Sequence, residues 1–62
     1  MKIYVSKEAA QDVLGTLRNY GERATLLSSS QDRNESVIVV KSIPPKIKQW
    51  VLDIALRVVE DR

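Results

Sequence analysis

The apolar pattern of residues 47–59 is too wide for one face of a helix. At 100° per residue, two apolar stripes together span an arc of about 240°, whereas a single buried face spans about 100–140°. The first stripe, which predicts a core-facing side with Trp50 at its edge, contains Ile47, Val51, Ile54, Ala55 and Val58. The second stripe, which points elsewhere, contains Leu52, Leu56 and Val59. A helix that is apolar on two sides needs a cover on two sides.

The chain is short for so much apolar surface. It has 62 residues, 44% of them apolar, and a chain of this size buries only about 60% of its extended surface on folding. It contains neither Cys nor His, so disulfides and thiolate or imidazole metal sites are excluded as stabilising links. We therefore expect a homodimer as the default state, with a second copy supplying the missing cover.

The order of apolar and polar segments predicts one α+β domain over residues 1–62, with elements in the order β-α-β-β-α. The expected strands span about 2–5, 23–30 and 36–43, and the expected helices span about 7–20 and 45–61. This order favours a small two-layer fold in which a three-stranded sheet carries two helices on one face.

The first helix has clear signals at both ends. The hydroxyl group of Ser6 can cap its first turn, where the helix dipole favours the acid Glu8. Gly21 can end the helix in a left-handed conformation. Gly15 lies on the polar face, where either another backbone approaches closely or a glycine is simply tolerated; we favour tolerance.

The next two strands are expected to form a hairpin around a polar tip at residues 31–35. The second of them contains an uninterrupted apolar run, residues 37–40, which predicts a strand covered on both faces. Pro44 and Pro45 end this strand, and Pro45 can serve as the first residue of the second helix.

Two apolar surfaces are candidates for binding a partner. The second stripe of the last helix, Leu52, Leu56 and Val59, either binds a partner or packs under the first helix, and we favour the partner. Trp50, at the edge of the first stripe, is counted with this interface. Tyr4 projects from the first strand with Lys2, on the side opposite to Ile3 and Val5. On the side of the sheet away from the helices, Val37 and Val39 are expected to join Tyr4.

Basic residues between positions 41 and 48 offer a different function. Lys41, Lys46 and Lys48 beside Trp50 have the composition of a patch that contacts phosphates next to a stacking ring. A solvated strand end and helix start, with Trp50 in the core, is the simpler interpretation. Lys46 and Lys48 would point about 160° apart on a helix, and the net charge is only +2. Nucleic-acid binding is therefore the alternative.

Catalysis is not expected, and no cofactor or metal is predicted. The hydroxyl groups of Ser28–Ser30 lack the usual histidine base. The segment from Asp32 begins like a calcium loop, but Val37 and Ile43 occupy the positions that need Gly and Glu. No segment has the length of a signal peptide or a membrane span, which favours a cytoplasmic protein without membrane contacts.

The function that the sequence favours is a small non-catalytic interaction module. We expect it to form a homodimer and to bind another protein through its apolar helix or its sheet face. The alternative is a small DNA- or RNA-binding regulatory protein that uses Lys41, Lys46 and Lys48.

Overall fold

The computed structural model describes residues 1–30 and 34–60. In this part of the chain, strands and helices follow the order β-α-β-β-α-β. The elements are β1 (Lys2–Ser6), α1 (Lys7–Asn19), β2 (Thr25–Ser30), β3 (Glu35–Val39), α2 (Lys48–Ile54) and β4 (Arg57–Val59). The α+β class is thus confirmed. Residues 31–33 of the predicted hairpin tip lie outside the described residues.

The four strands form one antiparallel sheet in the order β2-β3-β1-β4. β2 and β3 pair as the predicted hairpin, and β1 lies between β3 and β4. Because β3 separates β1 from β2, and β1 separates β3 from β4, two β-α-β units interleave in this sheet. This is the split β-α-β, or ferredoxin-like, arrangement.

The two ends of α1 are capped by Ser6 and Gly21, as the sequence predicts. The side-chain oxygen of Ser6 accepts a hydrogen bond from the backbone N–H of Ala9 (3.3 Å). At the other end, Gly21 has φ = 87° and its N–H donates to the carbonyl of Arg18 (3.0 Å). The N–H of Glu22 donates to the carbonyl of Leu17 (3.1 Å). These two bonds form a Schellman motif, which satisfies carbonyl groups that the helix end leaves free.

The hydrophobic core lies between the two helices and one face of the sheet. Residues from both helices belong to the same buried cluster as residues from the sheet, so both helices cover the same face. The most deeply buried members are Ile3, Val5, Val13, Leu17, Ile38, Val40 and Val51.

The predicted second helix, residues 45–61, is wrong at both ends. A turn occupies residues 45–47, and α2 ends at Ile54 because Ala55 adopts an extended conformation (φ −65°, ψ 138°). The N–H of Leu56 then donates to the carbonyl of Tyr4 (2.7 Å) on β1. β-branched residues favour strands, and the segment that follows forms β4 along the free edge of β1. The sheet therefore has four strands instead of the predicted three.

The predicted third strand, residues 36–43, is shorter in the structure, and the described helices cover it on one face only. It runs over Glu35–Val39, in which Ser36 and Ile38 are buried while Val37 and Val39 are half-buried. The apolar run predicted cover on both faces. Since both helices pack on the same side, the other side of β3 has no cover from the helices of the described residues.

Candidate binding surface

The sheet face turned away from the helices combines apolar and charged side chains. Strand pairing decides its membership: Tyr4 lies opposite Val37 and Arg57, and Lys2 lies opposite Val39 and Val59. We call this surface the open face. Its residues with described side chains are Lys2, Tyr4, Ser6, Thr25, Glu35, Val37, Val39, Arg57 and Val59.

The centre of the open face is apolar. Tyr4, Val37 and Val39 are half-buried, and Val59 is 38% exposed. An antiparallel sheet with one face in water usually places polar residues on that face. Here the strands β1, β3 and β4 all contribute apolar side chains to it instead.

The ring of Tyr4 is held by a cation. The guanidinium carbon of Arg57 lies 4.2 Å from the centre of the ring, a cation–π contact worth about 0.5–1 kcal/mol at an exposed site. Arg57 is on β4 and Tyr4 is on β1, so this contact also ties the short edge strand to the centre of the sheet. The contact thus places the ring and the guanidinium side by side on the open face.

The other charges of the open face lie at its two ends. Lys2 is near one end of β1, where it lies opposite Val39. Glu35 begins β3 and lies opposite Ser6, near the other end of β1. Both side chains are half-buried. The apolar centre thus has a cation on one side along the strands and an anion on the other.

The outer edge of the hairpin is irregular. The register of β2 against β3 shifts between Leu26 and Ser28, which makes Leu27 the extra residue of a β-bulge. Leu27 is 57% exposed. Bulges disturb the hydrogen-bonding pattern of a strand and are one way in which proteins protect sheet edges from unwanted pairing. The position of the bulge favours contacts through the face of the sheet over contacts through this edge.

The predicted interface residues do not form a single surface. Tyr4 and Val59 share the open face, but Leu52 and Trp50 are on α2, about 200° apart around its axis and on opposite sides of the buried Val51. Leu56 follows the end of α2 and is 58% exposed. The second apolar stripe is therefore absent as a helical face, because the helix ends before it is complete.

Two charged residues of the open face were missed by sequence reasoning. Arg57 was placed on the polar side of a helix, and Glu35 was placed in the hairpin tip. The pairing of β4 with β1 brings Arg57 beside Tyr4, and this pairing has no local sequence signal. The alternation of Tyr4 with Ile3 and Val5 did predict which side of β1 faces away from the helices, and the structure confirms it.

The three lysines of the nucleic-acid alternative are all exposed. Lys41 follows β3 in a bend, Lys46 is in the turn before α2, and Lys48 is the first residue of α2. None of the three belongs to the open face. Their contact with nucleic acid stays a prediction.

A polar cluster joins the start of α1 to the hairpin. The N–H of Lys7 donates to the carbonyl of Asn34 (3.1 Å), and the side-chain amide of Asn34 donates to both carboxylate oxygens of Glu8 (3.3 and 3.1 Å). The pKa of Glu8 is lowered from 4.5, first by a hydrogen bond from its own backbone N–H and then by Asn34. Asn34 itself has φ = 54°, which asparagine tolerates better than most residues. This cluster secures the helix start against β3.

The described residues contain no detected pocket and no group of three or more potential metal ligands. Neither of their helices is long and apolar enough to cross a membrane. No family model, curated protein or solved structure matches the chain.

Proposed function

We propose that this protein is a non-catalytic interaction module that associates with another protein, and first of all with a second copy of itself, through the open face. The observation that carries the proposal is the apolar centre of this face, where Tyr4, Val37, Val39 and Val59 have no cover from the helices.

The amount of apolar surface makes an uncovered face unfavourable. Fully burying a side chain of this size contributes roughly 1.5–3 kcal/mol. Tyr4, Val37 and Val39 are already half-buried by their neighbours, so covering them would gain roughly half of that amount each. A chain of 62 residues has a small total stability. Covering this face is therefore a substantial gain for the protein.

The exposed apolar residues of α2 support the proposal less well. Leu52 is 42% exposed and Trp50 is 38% exposed, but they lie on opposite sides of a helix of seven residues. Isolated exposed apolar residues are common in soluble proteins, whereas a contiguous patch marks an interaction site.

The average mass in sedimentation equilibrium, measured over a concentration series, tests this proposal. We expect the mass of the wild-type protein to rise above that of a monomer with concentration. Val37→Lys, at the centre of the open face, should keep the protein monomeric. Leu52→Lys makes the same kind of change at an exposed site on α2, and it should leave association unchanged.

Two results would contradict the proposal. One is a monomer mass at every concentration, and the other is association that Leu52→Lys removes and Val37→Lys does not. Retention on heparin that is lost with added salt and on changing Lys41 and Lys46 to Ala would support the nucleic-acid alternative.

A further inference from the structure

We propose that the open face binds the open face of a second copy in a two-fold symmetric dimer, in which Lys2 of each copy pairs with Glu35 of the other. This inference rests on the proposed function, because it specifies how the two copies are arranged at the same surface.

The positions of Lys2 and Glu35 suggest this arrangement. Glu35 lies opposite Ser6, four residues along β1 from Lys2 and one strand to the side. With about 3.4 Å per residue and about 4.8 Å between strands, the two positions are about 14 Å apart. The midpoint between them falls between Tyr4 and Val37, which lie opposite each other. The cation and the anion are thus placed symmetrically about the apolar centre.

Consider a two-fold axis that lies in the plane between the two sheets and passes over this midpoint. Rotation about this axis places one end of the open face of one copy over the other end of the open face of the second copy. When the axis is perpendicular to the line from Lys2 to Glu35, Lys2 of one copy comes to lie over Glu35 of the other. The symmetry then repeats the same contact in reverse. Tyr4 and Val37 come to lie over their own counterparts at the centre.

The same axis also sets the angle between the two sheets. The line from Lys2 to Glu35 is inclined to the strands by about 20°, so the strands of the two copies cross at about 40°. Sheets that pack face to face usually keep their strands within about 30° of each other. The charge pairing therefore requires a crossing angle about 10° wider than this range.

The charges favour this orientation over other occupants. An axis along the strands would place Lys2 over Val39 of the second copy and leave its charge without a partner, which costs free energy at a dry interface. A nucleic-acid strand on the open face would be attracted by Lys2 and Arg57, but its phosphates would be repelled by Glu35. The second copy pairs both Lys2 and Glu35, whereas Arg57, which lies beside Tyr4 close to the axis, comes near its own counterpart, and this like-charge contact weakens the dimer.

The area of the open face predicts a reversible dimer. Four strands at about 4.8 Å and five residues at about 3.4 Å give a footprint of about 19 by 17 Å, or about 320 Å² for each copy. Both copies together thus bury at most about 640 Å², which is less than the roughly 1,200–2,000 Å² of stable protein–protein interfaces and is typical of weak, transient ones. The dimer should therefore dissociate on dilution.

Charge reversal in sedimentation equilibrium tests the pairing. Lys2→Glu and Glu35→Lys should each raise the dissociation constant of the dimer at least about tenfold, because each change turns two ion pairs into two repulsive contacts. The combined variant keeps the net charge of the wild-type protein and should return to within about threefold of its dissociation constant. Lys46→Glu changes the net charge as Lys2→Glu does, but away from the open face, and should have no effect.

The outcomes separate the pairing from the proposed function. A combined variant no better than the single variants, with circular dichroism unchanged, would overturn the pairing. If Val37→Lys still abolishes the dimer, the open face remains the contact surface and only the arrangement is wrong. If Val37→Lys leaves the dimer intact, both proposals fail. A monomeric protein that binds a 12-nucleotide single-stranded DNA through Lys2 would also overturn the pairing.

Discussion

Replacing Gly15 with Ala should stabilise this protein. Gly15 lies in the interior of α1, where glycine is less favourable than alanine by about 0.8–1 kcal/mol. A Cβ atom at this position would meet nothing within 4 Å, so no steric cost reduces the gain. Unfolding a chain of 62 residues at about 2.1 cal/mol/K per residue involves about 130 cal/mol/K. The expected rise in Tm is therefore about 6–8 °C.

Gly21→Ala is the matched control, with the opposite expected sign. A Cβ atom at Gly21 also has open space, but its φ of +87° is a left-handed conformation that L-residues rarely adopt. The strain should lower the free energy of unfolding by about 1–2 kcal/mol. The same change of side chain thus separates the effect of backbone conformation from the effect of space.

Thermal unfolding followed by circular dichroism at 222 nm measures both variants. All samples must have the same protein concentration, because self-association adds to the stability. A lower Tm for Gly15→Ala would refute the reasoning, since it would mean that another backbone approaches α1 at this point. A Tm unchanged by Gly21→Ala would refute the account of the helix end.

Two further predictions concern the core and the polar cluster. Leu17 is fully buried, so Leu17→Ala should lower the free energy of unfolding, measured in urea, by about 2–5 kcal/mol. Leu52→Ala, at an exposed site, is the control. An equally small loss in both variants would contradict the position of Leu17 in the core. The pKa of Glu8 is lowered in the folded state. The ionised carboxylate therefore contributes its full stabilisation at a pH above the pKa that Glu8 has in the unfolded chain. This stabilisation is lost as the pH falls through the pKa that Glu8 has in the folded protein. In an NMR titration the pKa of Glu8 should lie below 4.5. It should rise in the variant Asn34→Gly, which keeps the left-handed backbone but removes the side-chain amide. An unchanged pKa would show that Asn34 has no influence on Glu8.

The first half of the chain could be predicted from sequence because its signals are local. The hydroxyl group of Ser6 and the flexibility of Gly21 act within one turn of α1. The alternation of buried and half-buried residues along β1 follows from strand geometry alone. For these elements, the residue with the conformational preference and the backbone group that it satisfies lie in the same short segment of sequence.

The last part of the chain was predicted wrongly because its pattern suits two structures. Residues 55–59 are compatible with a helical stripe, yet the β-branched pair Val58 and Val59 also suits a strand. The choice depends on the free edge of β1, whose Tyr4 carbonyl accepts a hydrogen bond from the N–H of Leu56. This partner is more than fifty residues away in sequence, so a local pattern carries no information about it.

For the candidate surface too, one part could be predicted from the sequence and another part could not. The sequence by itself determined that the chain has more apolar surface than one small core can bury, and that Tyr4 faces away from the helices. Only the tertiary structure decided where this surface lies: because α2 ends at Ile54, Val59 joins the open face of the sheet, while Leu52 and Leu56 stay exposed elsewhere. The physical reason is that strand pairing, which is non-local, sets which side chains become neighbours. It alone brings Arg57 and Val59 onto the open face beside Tyr4.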